Sequence, residues 1–203
     1  MPPTDAARVA GGFAMGVSPI IGPGGISVDP GFLASPDDAN GNGQATYPAL
    51  THGIYQWGAG AQIGAFYMTE NSWQFGASVK SPQWFQNFTY NSRDENGAPR
   101  NVQIGVDVPM IVSIGAAYSG FDRFVLAVDG RWLNYSDTRG FAETGFDATG
   151  AVRGLGWKDV WALATGVQYQ VSDGLSLRMG YSFNTNPIDD DVAFFNIMSP
   201  LVI

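Results

Sequence analysis

From Asp159 to Asn184 the chain alternates between large apolar residues and small or polar ones, and this alternation restricts the fold more than any other feature. Before the turn, Trp161, Leu163, Thr165, Val167, Tyr169 and Val171 stand against Ala162, Ala164, Gly166, Gln168 and Gln170. After Ser172, Asp173 and Gly174 the pattern resumes, with Leu175, Leu177, Met179, Tyr181 and Phe183 against Ser176, Arg178, Gly180, Ser182 and Asn184. Successive side chains of a strand point to opposite faces, so a period of two describes a β-hairpin closed by the Ser-Asp-Gly turn. Two environments ask for such a hairpin. In a soluble sandwich the greasy face lies on a core; in an outer-membrane barrel it faces lipid while the other face lines a lumen. The aromatics at the ends of the greasy face fit the girdles of a lipid-facing band, and Arg178, Gln168 and Gln170 among Gly and Ala fit a wet lumen.

Composition narrows the choice. Only 14% of the 203 residues are charged, against about a quarter in soluble domains. A mean hydropathy of -0.03, with no run near the roughly 20 apolar residues of a spanning helix, excludes a helical membrane protein but suits a barrel whose two faces cancel. A net charge of -8 without clustered Lys or Arg argues against nucleic-acid binding. The absence of Cys excludes disulfides and thiol chemistry. Met1 to Arg8 has no basic region followed by an apolar core, so an exported protein would be represented here by a mature, truncated or partial chain.

Taken in order, Arg8 to Ile21 reads as one strand ending near Pro19, and Gly22 to Leu50 as a long ordered loop with short helical turns. Tyr55 to Met68 and Trp73 to Lys80 form a second hairpin around Thr69-Glu-Asn71, and the strand is expected to continue through Ser81 to Tyr90 into solvent. A charged tip, Asn91 to Arg100, reverses the chain into Asn101 to Tyr118, where Pro109 implies a bulge or kink. Ser119 to Asp122 turns into a strand carrying Phe124, Leu126, Val128 and Trp132, and a Gly-rich loop, Ser136 to Trp157, leads to the opening hairpin. Beyond Asn184 come a loop with Asp189-Asp-Asp191 and an apolar tail, Val192 to Ile203. Short turns thus alternate with long excursions. One rim of tight turns and one of long loops is the pattern of an outer-membrane barrel, and a sandwich has no reason to sort its loops this way.

Tyr55 to Phe66, Val79-Lys-Ser-Pro82, Asp107-Val-Pro-Met110 with Ser113 to Tyr118, Leu126 to Tyr135, Gly156-Trp-Lys-Asp159, and Leu177 to Tyr181 followed by Pro187 together resemble, in order and spacing, the C-terminal half of the FadL/TodX/OmpP1 family of outer-membrane hydrophobic-compound transporters. The resemblance implies a fourteen-stranded barrel, plugged by an N-terminal hatch, that admits long-chain fatty acids or aromatic hydrocarbons. The expected fold is therefore all-β: an antiparallel up-and-down transmembrane barrel, with room for about eight strands in residues 1–203 as a single domain or part of one, and no separate hatch.

No catalytic constellation and no cofactor are expected. His52, without a second imidazole or a Cys, reads as a surface residue, and Asp189 to Asp191 as a solvated loop tip rather than a Ca²⁺ site. The resemblance marks Arg139, just beyond the Trp132-x-x-Tyr135 strand end, as the basic residue that pairs with a fatty-acid carboxylate. One cation in an apolar pocket would orient an amphipathic ligand. Arg131, Asp129, Arg178, Lys80 and Gln168 should point into the lumen and pair with one another. Trp84, Phe85, Phe88 and Tyr90 crowd the long-loop rim as a capture surface for a greasy ligand, as loop packing or as a lipid-headgroup contact. The expected function is passive, binding-assisted diffusion of hydrophobic small molecules by a monomer set in outer-membrane lipid and lipopolysaccharide. A structural or adhesive surface barrel and a soluble β-sandwich binding module are the alternatives.

Overall fold

Each clear alternation becomes a strand, because only an extended backbone sends apolar and polar side chains to opposite sides. The computed structural model describes residues 5–9, 12–29 and 31–189. Its strands are β1 (Asp5–Val9), β2 (Phe13–Val28), β3 (Leu50–Met68), β4 (Trp73–Lys80), β5 (Trp84–Phe85), β6 (Phe88–Arg93), β7 (Pro99–Ile104), β8 (Met110–Phe121), β9 (Phe124–Asn134), β10 (Val160–Ser172) and β11 (Leu175–Asn184). Eight of them pair in the order β1-β2-β3-β4-β8-β9-β10-β11, all antiparallel, while β5 adds to β3 and β6 pairs only with β7. The result is an up-and-down meander that curls into half a barrel. A hollow of about 810 Å³ on its concave side takes in residues of β2, β3, β4, β8 and β9.

The connections sort by rim as the sequence implied. Tight turns lie at Gly12, Ser72, Asp122-Arg123 and Asp173-Gly174, with positive φ at Gly12 (82°), Ser72 (63°) and Arg123 (65°). Long connections, 29–49, 81–109 and 135–159, lie at the opposite rim. Val17, Ile63, Val79, Val112, Trp132 and Trp161 form one outward row across the paired strands, and Ser78, Ser113, Arg131, Ala162 and Asn184 an inward one. The outward face is exposed along its length, Ile114 to 64%. No second sheet covers it among the described residues, so the two-layered sandwich is overturned.

Several boundaries depart from the sequence reading. The first strand is a hairpin, β1 with β2, and β2 runs on through the Gly22-Pro-Gly-Gly25 stretch that reads as loop. The stretch keeps ladder register with β3, Gly22 opposite Gly58 and Gly24 opposite Gln56, and a Cβ on Gly24 or Gly58 would lie 2.6 Å from the ring of Phe85. Between β2 and β3 the described residues form single hydrogen-bonded turns, such as Ala34 N–H to the Gly31 carbonyl at 2.9 Å, but no helix. The strand expected to run from Trp73 to Tyr90 stops at Lys80, since Pro82 has no N–H for the ladder, and the chain crosses back over β3 as β5. Pro109 ends an irregular passage, and β8 starts directly after it. His52 lies within β3, its side chain outside the described set, as are Asp190, Asp191 and the tail from Val192.

The buried core sits at the long-loop rim rather than between layers. Ala34, Leu50, Phe88, Tyr90, Val102, Ile104 and Ala151 form it, with Ile26, Leu33, Ile54, Phe85 and Val106 packed around them. Ile26 and Ile54 are paired residues on the Gly58 side of β2 and β3, so the β6–β7 hairpin and the long loops fold over the concave face instead of protruding.

Candidate functional site

The outward face carries two aromatic belts. Near the tight turns Trp73 stacks on Phe75 (5.9 Å) and meets Tyr118 (4.7 Å), which meets Phe121 edge-on (5.0 Å), and Phe124 meets Tyr169 (4.6 Å). Near the long loops Trp57 and Trp84 are exposed to 61% and 59%, and Trp132 stacks on Trp161 at 6.0 Å. Trp57 and Tyr67 are ten residues apart on one face of β3. At about 3.4 Å per residue and a tilt of about 40°, that separation spans roughly 25 Å along the membrane normal, the height of an outer-membrane barrel's apolar band. Trp132 Nε1 donates to Asp159 Oδ2 at 2.9 Å, and the Ser136 N–H to Oδ1 at 3.0 Å. Partial burial pushes the Asp159 carboxyl up, but the hydrogen bonds from Ser136, Trp132 and Tyr135 outweigh it and hold the group below the ordinary aspartate range.

The concave face is built mostly of Gly, Ala, Ser and Gln side chains, and carries the cations. A hollow of about 520 Å³ is lined by Lys80 and Arg131 together with Gln62, Ser78, Ser113 and Asn184. Mutual charge pairing, expected for the inward groups, occurs for none of them among the described residues. The ion pairs there are Arg100–Asp37, Arg139–Asp107, Arg153–Glu143 and Lys158–Asp189, all near the long-loop rim. Arg178 donates its Nε–H to Gln168 Oε1 at 2.7 Å, a neutral partner across the β10–β11 ladder.

Arg139 clasps the loops together. Its Nε and Nη2 grip Asp107 Oδ2 and Oδ1 at 3.1 and 2.7 Å, Nη1 donates to Asn87 Oδ1 at 2.8 Å, and Nη2 also donates to the Phe85 carbonyl. Asp107, 6% exposed, accepts the Phe85 N–H as well, at 2.8 Å. Four of the five guanidinium donors are thereby used, and Gly105 leaves the room, since a Cβ there would lie 2.9 Å from Arg139 Cδ. The sequence reading missed Asp107 as a partner, because 32 residues separate the two and no local spacing links them.

The four rim aromatics divide. Phe85 stacks near Phe88 (6.3 Å) over Gly24 and Gly58. Phe88 and Tyr90 are each 2% exposed, and the Tyr90 hydroxyl donates to the Ile26 carbonyl at 2.6 Å. Burial pushes that hydroxyl's pKa up. An open capture surface is therefore not what these two form; they are the inner packing of the cap. Trp84 pairs with Ala59 and stands on the outward face, in the upper belt.

A curled antiparallel sheet with a banded apolar exterior, a concave face of small and polar side chains and one looped rim defines an outer-membrane β-barrel architecture. The chain belongs to the Outer membrane protein transport protein (OMPP1/FadL/TodX) family, whose model matches residues 40–197, and its location is the bacterial outer membrane. Solved structures share the fold. A deltaS2S3 mutant of the TodX monoaromatic hydrocarbon channel superposes with a TM-score of 0.66 at 16% identity, over 94% of this chain and 55% of its own. The Ralstonia pickettii toluene transporter TbuX gives 0.65 at 18%, over 91% and 54%, and a Pseudomonas aeruginosa FadL homologue 0.62 at 16%, over 92% and 49%. The chain thus spans about half the length of the structures it matches. No curated protein matches it.

Proposed function

We propose that this chain forms wall and outer cap of a monomeric conduit through which hydrophobic small molecules, long-chain fatty acids or aromatic hydrocarbons, diffuse across the outer membrane without chemical change. The observation that carries this reading is the cap: an apolar core, with Phe85, Ile26 and Ile54 packed against it, closes one end of a concave face otherwise lined mostly by small side chains. A greasy ligand would partition to that end first, and the cap would have to loosen to let it pass. Lys80 and Arg131 would hold the head group of an amphipathic ligand, with Arg178 further along the wall. Arg139 would serve as a positioning residue that keeps Phe85 in place. Trp84 and the upper belt would contact lipid and lipopolysaccharide.

The test is uptake of labelled oleate and of toluene by cells or liposomes carrying the protein. Uptake above the empty membrane is expected, with Lys80→Ala/Arg131→Ala slowing oleate about tenfold, a loss equivalent to about 1.4 kcal/mol of one charge-assisted contact, and leaving toluene unchanged. Uptake no faster than through empty membrane, for both compounds, removes the proposal.

A further inference from the structure

Among the described residues of the eight-stranded wall, every aromatic side chain stands outward except one. Phe66 shares the parity of Gln62 and Gly64 on β3, and with them it lines the concave hollow of about 810 Å³. There it gains nothing from lipid. Its partners on the neighbouring strands, Ala14 and Gly76, give it little to pack on, and it is 40% exposed. A ring held on the concave side at that exposure calls for a reason other than packing.

The same row runs from Phe66 through Gly76 on β4 and Gly115 on β8 to Asp129 on β9. Phe66 leans over the first glycine, where a Cβ on Gly76 would meet its Cδ2 at 4.0 Å. Asp129 leans over the second from the opposite side, and a Cβ on Gly115 would run into its Oδ1. Neither glycine has a positive φ, so the backbone itself does not ask for one. Three strand spacings, roughly 14 Å, separate β3 from β9. With the ring reaching over one spacing and the carboxylate over another, about 5 Å stays open between them above bare backbone. The carboxylate is not committed elsewhere: Asp129 belongs to none of the ion pairs among the described residues. Arg131, two positions further on, lines the neighbouring hollow of about 520 Å³ with Lys80, and Asp129 does not. An aromatic face attracts a cation within about 6 Å of its centroid, and a carboxylate attracts it by charge. A hydrocarbon uses the ring alone, and a fatty-acid carboxylate is repelled by Asp129. An organic cation uses both.

We infer that Phe66 and Asp129 form a second ligand site in the wall, for hydrophobic organic cations of the aryl- or alkylammonium class, whose nitrogen lies between ring and carboxylate above Gly76 and Gly115. The site adds a class of ligand to the fatty acids and hydrocarbons proposed above, and it lies one row nearer the tight turns than Arg131. Phenyltrimethylammonium is the probe, titrated into the full chain in uncharged detergent and followed by saturation-transfer NMR. One ion pair and one cation–π contact in an open hollow should give a dissociation constant of the order of 1 mM. Asp129→Asn should weaken binding about tenfold, and Phe66→Leu, which keeps apolar bulk but removes the ring face, about threefold. Asp122→Asn makes the same charge change at a tight turn and should leave the affinity as it is. All three variants should keep the heat-modifiable gel mobility of the parent. Absence of binding up to about 20 mM overturns the site, and so does parent-like binding by either Asp129→Asn or Phe66→Leu. An equal loss in Asp122→Asn overturns it as well, because the probe then answers to the net charge of -8 rather than to the slot. Equilibrium binding is read here, so uptake of oleate and toluene succeeds or fails independently of it.

Discussion

Arg139 shows how a residue's worth changes once its neighbours are known. Read from the chain, it is a cation next to a strand end; in the fold it is held bidentately by a carboxylate that is 6% exposed and that also receives the Phe85 N–H. Removing the guanidinium leaves Asp107 charged, buried and one partner short, which for such pairs costs about 3 kcal/mol. Arg139→Ala should therefore speed amide exchange at Phe85 and Asp107 roughly a hundredfold, with the β8 to β11 ladder amides unchanged. Unchanged exchange at Phe85 would mean that the clasp holds nothing. Lys80 and Arg131 present the opposite case, facing a hollow of about 520 Å³ with no acidic partner among the described residues.

At the scale of elements, the crossing of β5 over β3 depends on glycine. Phe85 lies where Cβ atoms of Gly24 and Gly58 would be, each 2.6 Å from its ring, so two strands give up side chains to admit one aromatic. Gly58→Ala should cost about 1–3 kcal/mol by overpacking. Adding Phe85→Ala removes the ring that clashes, so the double variant should lose less than the two single losses summed, a coupling of about 1 kcal/mol or more. Thermal unfolding of the four proteins in one detergent measures it, and strict additivity would show that ring and glycines do not meet. The sequence signal at this place was misleading in a physical sense: Gly-Pro-Gly-Gly is turn chemistry in an isolated peptide, and only the partner strand makes it a ladder.

For the molecule as a whole, the two faces of the wall should tolerate charge differently. Val128 lies midway between Phe124 and Trp132 on the outward face, and Ala127 beside it points to the concave side. Val128→Arg puts a guanidinium near the bilayer midplane, a loss of about 2–4 kcal/mol, whereas Ala127→Arg meets water and Asp129. Folding yield into lipid vesicles, read from heat-modifiable mobility, should fall for the first and hold for the second. Equal yields would mean that the faces are assigned the wrong way round.

The alternation over Asp159 to Asn184, repeated from Tyr55 and from Met110, determined by itself that this chain is an antiparallel meander with one apolar and one polar face, because a period of two admits only one backbone geometry. The sorting of short and long connections determined which rim is which, since strand order in a meander follows chain order. What the tertiary structure alone decided lies at the looped rim: that Phe88 and Tyr90 are core and Trp84 is belt, that Arg139 answers to Asp107, and that Glu95 rests against Asp37. Those pairings join residues from 25 positions apart, Trp84 and Ala59, to 64, Tyr90 and Ile26, and no local periodicity relates them. Loop contacts of this range depend on how far a sheet curls, which is a property of all its strands together.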